Sequence, residues 1–383
     1  NPTRQLRSAI IARGFYYGSL KNVDPEIQSL AVSHQQAMER LEPPIIESIV
    51  AFSYRLIGSE ELWIAKIISS IFWCIAAVFL YDLGRRMGSQ LASLIGVSYF
   101  LFLPFGIRAS RSFQPDPLLV LGIMMSAWML FRWNQSRSWK WVFLAGISGG
   151  LTALIKPVGL LFVGAMLISM VIGSTRMDAN RIDPGAKRKG RFAWRKLNDP
   201  KIWVMIAFVI SPLLLYYLIN IGDETSSYLV NWPLLSRWLD VIHPSFGMRW
   251  MILVDNYLNL VAVMAGFLGM LLASAEHRWL LVALWVGYFL LGLFFPYHIL
   301  THDYYHLPLV GLVALSIVPL FKLIHSQIKR QGTIIQVVYV ILLVLISFYN
   351  AWIGRSILLG ANFRDHPSYW QEVGYAIPVD SKV

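Results

Sequence analysis

Charge is what this sequence is short of. Only 14% of its 383 residues are Asp, Glu, Lys or Arg, where a soluble chain carries about a quarter. That scarcity excludes an ordinary soluble globular protein. Cysteine is nearly absent. The single Cys74 lies in an apolar run, so there is no disulfide framework and no cysteine-based metal site. No strand-like alternation is sustained, which excludes a β-barrel, and no internal repeat is apparent. A start methionine and a leader pattern are also lacking. The chain opens on the polar run Asn1-Pro2-Thr3-Arg4-Gln5, so we expect a fragment whose first membrane helix is missing.

What the sequence has is apolar bulk. Hydrophobic residues make up 56% of it, and mean hydropathy is +0.56. Trp, Tyr and Phe are plentiful, as expected where aromatic rings sit at bilayer interfaces. A helix needs about 20 apolar residues to cross the hydrocarbon core. Stretches at about 61–82, 89–106, 117–133, 139–155, 157–173, 202–220, 251–274, 279–295, 304–321 and 333–353 qualify or nearly do. The expected fold is therefore all-α: a polytopic integral membrane protein with about ten transmembrane helices. Lys156-Pro157-Val158-Gly159 should break the chain between two of them, because proline removes a helix donor and clashes with the preceding turn.

The net charge of +12 suggests nucleic acid until the charges are placed. If residues 1–60 lie on one side, alternation puts 83–88, 134–138, 174–201, 275–278 and 322–332 on the other. Most Lys and Arg fall there with few acids, so that side is cytoplasmic by the positive-inside rule. The basic run 187–196 then reads as a topology signal beside anionic lipid, and no nucleic-acid partner is expected. Three parts follow: residues 1–60 as a first extracytoplasmic loop, 61–355 as the transmembrane domain, and 356–383 as the start of a truncated extracytoplasmic domain.

The outer side concentrates the chemistry. Segments 6–17 and 45–57 mix apolar and charged residues at helical spacing, as interfacial helices do, and Glu42-Pro43-Pro44 lies between them. An ordinary amphipathic loop is the plainer reading. Arg108 and Arg111 occupy a very short outer loop, where arginine is disfavoured; guanidinium groups suit phosphate or carboxylate. Asp116 enters the next helix and reads either as a cap or as a functional acid. Lys156 sits at an outer boundary, where it must snorkel or find an anion. His298, Thr301, His302, Asp303, Tyr304, Tyr305 and His306 crowd one tight loop. Clustered His and Asp suit a metal or a polar headgroup, although the spacing fits no standard zinc motif.

Taken in order, these features resemble the C-type glycosyltransferase superfamily, in the branch of protein O-mannosyltransferases and bacterial lipid A aminoarabinose transferases. The family's first outer loop carries Asp-Glu-x-Arg-Tyr-Ala, then Ala/Ser-Arg, then Glu and prolines. Here Arg4-Gln5-Leu6-Arg7-Ser8-Ala9, Ala12-Arg13 and Glu42-Pro43-Pro44 stand in those places. Phe113-Gln114-Pro115-Asp116, Leu154-Ile155-Lys156-Pro157 and His302-Asp303-Tyr304-Tyr305-His306-Leu307-Pro308 are similar to its later elements. One departure matters: Arg4-Gln5 replaces the acidic pair that supplies the family's supposed base.

The resemblance implies inverting transfer of a sugar from a polyprenyl-phosphate donor to an acceptor of unknown kind, in a bacterial inner membrane with the site on the extracytoplasmic side. Asp116 and Glu42 are the expected catalytic acids. Arg7, Arg111 and Lys156 are expected to hold the donor phosphate. His302, with Asp303 and Tyr305, is expected to bind substrate or a divalent metal; no other cofactor is expected. Membrane lipids are the remaining partners. A transporter or flippase of a lipid-linked or anionic solute, or a catalytically inactive relative, stays open as the alternative.

Overall fold

The computed structural model describes residues 2–38, 42–182, 198–220, 239–360 and 372. All regular structure among them is helical. Three helices precede the bundle: α1 (Pro2–Tyr17), α2 (Pro25–Gln36) and α3 (Ile45–Ile57). The second was not foreseen. Asp24 caps it by accepting from Glu26 N at 2.9 Å, and Pro25 fills the first turn, where its missing donor costs nothing. In α3, Ile46, Val50, Ala51 and Tyr54 fall on one face and are buried. Gly58 ends the helix with φ +84°, a left-handed cap that favours glycine. α1 and α3 are pinned together where Ser8 Oγ donates to the buried Glu47 at 2.6 Å. Ala12, Tyr16, Val50 and Tyr54 then form a small core with Ile64 and Ala65 at the start of the bundle.

The bundle itself comprises α4 (Leu62–Met87), α5 (Gln90–Phe102), α6 (Pro104–Ser110), α7 (Asp116–Ser136), α8 (Trp139–Ile155), α9 (Gly159–Ile182), α10 (Pro200–Ile219), α11 (Pro244–Leu258), α12 (Leu260–Leu272), α13 (Ala275–Phe294), α14 (Pro296–Thr301), a 3-10 turn (Asp303–His306), α15 (Leu307–Ile328) and α16 (Thr333–Gly360). The protein is an integral membrane protein. Among the described residues six helices are long and apolar enough to cross a bilayer, or up to eight if each of two bent pairs counts as one span. Two further apolar helices, Trp139–Ile155 and Gly159–Val171, are shorter. The expected count of ten needs both short helices as well.

The bends have local causes. Pro104 breaks α5 from α6 at 62°. α11 and α12 meet at 98° around Asn259, which takes φ +65°. Asp255 Oδ1 accepts from Leu260 N at 2.8 Å and Asn259 Oδ1 from Val261 N at 3.0 Å, so the new helix starts with its donors satisfied. The stretch 251–274, expected as one span, is thus two helices. α7 is the most enclosed long helix. α8 lies against α10 so closely that a Cβ on Gly150 would meet the Phe208 carbonyl, which is the use of small residues at intramembrane contacts. α16 runs five residues past the boundary placed at 355. The basic run 187–196, most of the loop 221–250, and residues 361–371 and 373–383 lie outside the described residues.

Candidate active site

Four distant segments meet at one end of the bundle. The anchor is Asp116, the first residue of α7, set between Pro115 and Pro117. Its carboxylate makes no capping bond. Oδ1 instead accepts from Lys156 Nζ at 2.9 Å, with Asp116 1% and Lys156 3% exposed. Lys156 reaches inward because the chain leaves α8 there in an extended conformation before Pro157. Lys156 therefore does not snorkel. The rings of Tyr304 and Tyr305 lie 4.7 and 4.5 Å from its ammonium and supply cation–π faces.

The first loop closes over this pair. Arg4 on α1 is buried and ion-paired with the equally buried Glu42, and its charge acts on Lys156. Gln5 Oε1 accepts from Phe113 N at 3.3 Å, docking α1 on the loop that leads into Asp116. The two residues that replace the family's acids thus stand at the site, one as a cation and one as a docking group. Two buried acceptors there, Asp116 Oδ2 and Gln114 Oε1, have neither a hydrogen-bond nor an ion-pair contact of their own among the described residues. Lone buried acceptors are costly and call for an explanation.

The other expected residues divide. Tyr305 joins Lys156, as does its neighbour Tyr304, which is not among the expected site residues. Arg7 is half-buried on α1, about one helical turn from Arg4. Asp303 pairs with Arg108 at 3.2 Å. Thr301 Oγ1 lies 2.7 Å from His302 Nδ1. Burial, followed by the repulsion of Lys156, holds the His302 imidazole below its usual pKa, partly offset by Asp303. Arg111 does not join Lys156: it is exposed and turns to the outer face of α4. Among the described residues no three His, Cys, Asp or Glu side chains converge as metal ligands.

Behind the tyrosines, His306 is fully buried. Its Nδ1 lies 2.8 Å from Tyr288 Oη and its Nε2 2.9 Å from the Ile299 carbonyl, while Trp250 Nε1 donates to Tyr288 Oη at 2.9 Å. Trp250 and Tyr288 line an apolar cavity of about 1000 Å³ between α11, α12, α13 and α15.

This helical architecture is the fold of the C-type membrane glycosyltransferases. Residues 41–182, which hold Glu42, Asp116 and Lys156, match the family model described as dolichyl-phosphate-mannose-protein mannosyltransferase. The crystal structure of ArnT from Cupriavidus metallidurans in the apo state is similar, with TM-score 0.54 at 15% identity, covering 86% of this chain and 55% of that one. The same protein bound to undecaprenyl phosphate gives 0.54 and 15%, covering 95% and 60%. The Archaeoglobus fulgidus oligosaccharyltransferase, crystallised with zinc and sulfate, gives 0.53 and 11%, covering 92% and 48%. The chain thus spans roughly half to three fifths of the solved structures it resembles. No curated protein matches it. The resemblance drawn from the sequence is borne out as one of fold, and the matched family segment ends well before Tyr304 and Tyr305.

Proposed function

We propose that this chain transfers a sugar from a polyprenyl-phosphate donor to an acceptor at the outer face of the membrane. The observation that carries the reading is the buried Lys156–Asp116 pair, roofed by Tyr304 and Tyr305 and flanked by Arg4 and Glu42. An acceptor hydroxyl approaches the unpartnered Asp116 Oδ2, or Glu42, and gives up its proton to that carboxylate. The oxygen bonds to the anomeric carbon as the bond from that carbon to the phosphate oxygen breaks. The electron pair leaves with the lipid phosphate, whose charge Lys156 and Arg4 stabilise. Arrival of the phosphate competes with Asp116 for Lys156 and so releases the carboxylate as a base. The fold match to a protein bound to undecaprenyl phosphate supports a polyprenyl donor, and the apolar cavity by Trp250 suits a hydrocarbon chain.

The test uses the full chain in lipid nanodiscs with polyprenyl-phosphate sugars, read by mass spectrometry of released polyprenyl phosphate and by donor binding. We expect binding and turnover with at least one sugar. Lys156→Met should weaken binding about tenfold or more, the cost of one charge-assisted contact. Unchanged affinity in that variant would remove Lys156 from the phosphate site. Absence of donor binding by the parent chain would defeat the reading.

A further inference from the structure

α4 carries a second charged feature that sugar transfer does not use. On the face turned away from the bundle, Trp63, Ile67, Ile71, Ile75 and Val78 are all exposed. Spacings of three and four place them in one stripe along the helix. They line a groove of about 560 Å³ with Ser70 and Cys74. The groove is apolar along its length and basic at one end, where Lys66 on α4 and Arg111 at the close of α6 both line it. Neither cation is in any ion pair or side-chain hydrogen bond among the described residues. The basic end is the end nearer Asp116. Ser69 donates to the Ser112 carbonyl at 2.9 Å, tying this level of α4 to the loop that enters Asp116. Arg111 is exposed at that loop, while Phe113 and Gln114 are buried.

A lysine and an arginine, unpaired among the described residues, sit at the end of a strip of apolar surface roughly three helical turns long. That arrangement complements a molecule with a doubly charged head and a long apolar chain. Zwitterionic lipids satisfy the strip but return no net charge to the two cations, whereas a phosphate monoester answers both. We infer that this groove binds a lipid with a phosphate-monoester headgroup, its phosphate between Lys66 and Arg111 and its chain along Ile67, Ile71, Ile75 and Val78. The site backs onto the Asp116–Lys156 centre across the 111–115 loop but shares no cation with it. The inference stands independently of sugar transfer.

Cys74 gives a direct probe, since it is exposed, lies in the groove and is the only cysteine in the sequence. The full chain in detergent is labelled with a membrane-permeant maleimide, alone or with polyprenyl monophosphate, the chain-matched polyprenol, or inorganic phosphate. We expect the phosphate lipid to slow labelling about fivefold or more, at a concentration where polyprenol or inorganic phosphate changes it less than twofold. Lys66→Gln/Arg111→Gln should weaken that protection about tenfold in concentration, and Lys156→Met should retain it. Equal protection by polyprenol would show a groove blind to charge and overturn the inference. Protection lost only in Lys156→Met would assign the effect to the Asp116–Lys156 centre instead. A Cys74 that stays unreactive without added lipid, in parent and double variant alike, would mean that protein covers the groove, which also overturns it.

Discussion

Two of the ion-paired acids of the bundle, Asp82 and Asp116, lie toward opposite ends and are built differently. Asp82, near the end of α4, accepts from Arg85 at 2.6 Å, from Arg86 at 2.7 Å and from Trp128 at 2.7 Å, and its side chain is 20% exposed. Both oxygens are used, the arginines follow at helical spacing, and the carboxylate keeps some solvent access. Asp116 has one cation, one unpartnered oxygen and almost no water. Asp82 has a partner on each oxygen, and both of its cations come from its own helix. Asp116, the acid proposed as the base, is almost fully buried, has one oxygen without a hydrogen-bond partner among the described residues, and takes its only cation from another helix end. A buried ion pair gains little stability over apolar packing, which accords with the use proposed for this one.

The sharpest way to break this comparison is Asp116→Asn. Loss of a general base should lower sugar transfer about 100- to 10,000-fold. Leaving Lys156 buried and uncompensated should also destabilise the fold, by about 3–5 kcal/mol. Asp116→Asn/Lys156→Met removes both charges and should restore thermal stability without restoring transfer. Recovery of transfer in the double variant would make the pair structural, like Asp82. A similar cycle at Arg4 and Glu42 separates packing from chemistry there. Either single change, Arg4→Met or Glu42→Gln, should cost more in melting temperature than the two together. Additive losses would show that their contact is not the coupling it looks like.

A smaller effect concerns His302. Its folded pKa lies below the ordinary 6.5, chiefly through burial and then Lys156, so the unfolded chain takes up a proton that the folded chain refuses. Stability should therefore fall as pH drops through 6.5 toward the lower folded value, and stay flat above 7. Melting temperatures at pH 7.5 and 5.5 check this, and His302→Gln should narrow the difference. An unchanged gap in that variant would shift the cause to another group. The least effect is expected at the other acid. Asp82→Asn should cost about 1 kcal/mol or less and leave sugar transfer intact, because its ion pairs are partly exposed. A large loss of transfer there would erase the distinction between the two ends.

Much of the fold was legible because a bilayer imposes length and polarity on every helix. The runs at 61–82, 117–133 and 333–353 each became a helix near the expected place. The α11–α12 corner was not readable from hydropathy, since Leu260 to Leu272 is as apolar as a span. The signal was Asn259 with Asp255 before it, two side chains able to start a helix in the middle of an apolar run. At the site, Asp116 and Lys156 were singled out separately, but nothing local says that they face each other. Arg4 was seen only as an exception to a motif; its partner Glu42 lies across two helices. Arg111 was grouped with Lys156 because the charge count assigns both to the same side, and side is all that such a count reveals. Direction around a helix comes from packing.

The hydrogen-bond chain behind Tyr304 and Tyr305 has a direction. The Ile299 carbonyl only accepts, so the Nε2 of His306 must carry its hydrogen. In the neutral ring Nδ1 is then an acceptor and Tyr288 donates to it, while the oxygen of Tyr288 receives the Trp250 N–H. One tautomer is thereby written in by the main chain. The imidazole cannot turn over without giving up a carbonyl and a phenol together. It behaves as a rivet, fastening the turn that carries the two tyrosines to α13 and α14. The wall of the apolar cavity and the roof over Lys156 are in this way parts of one rigid bracket.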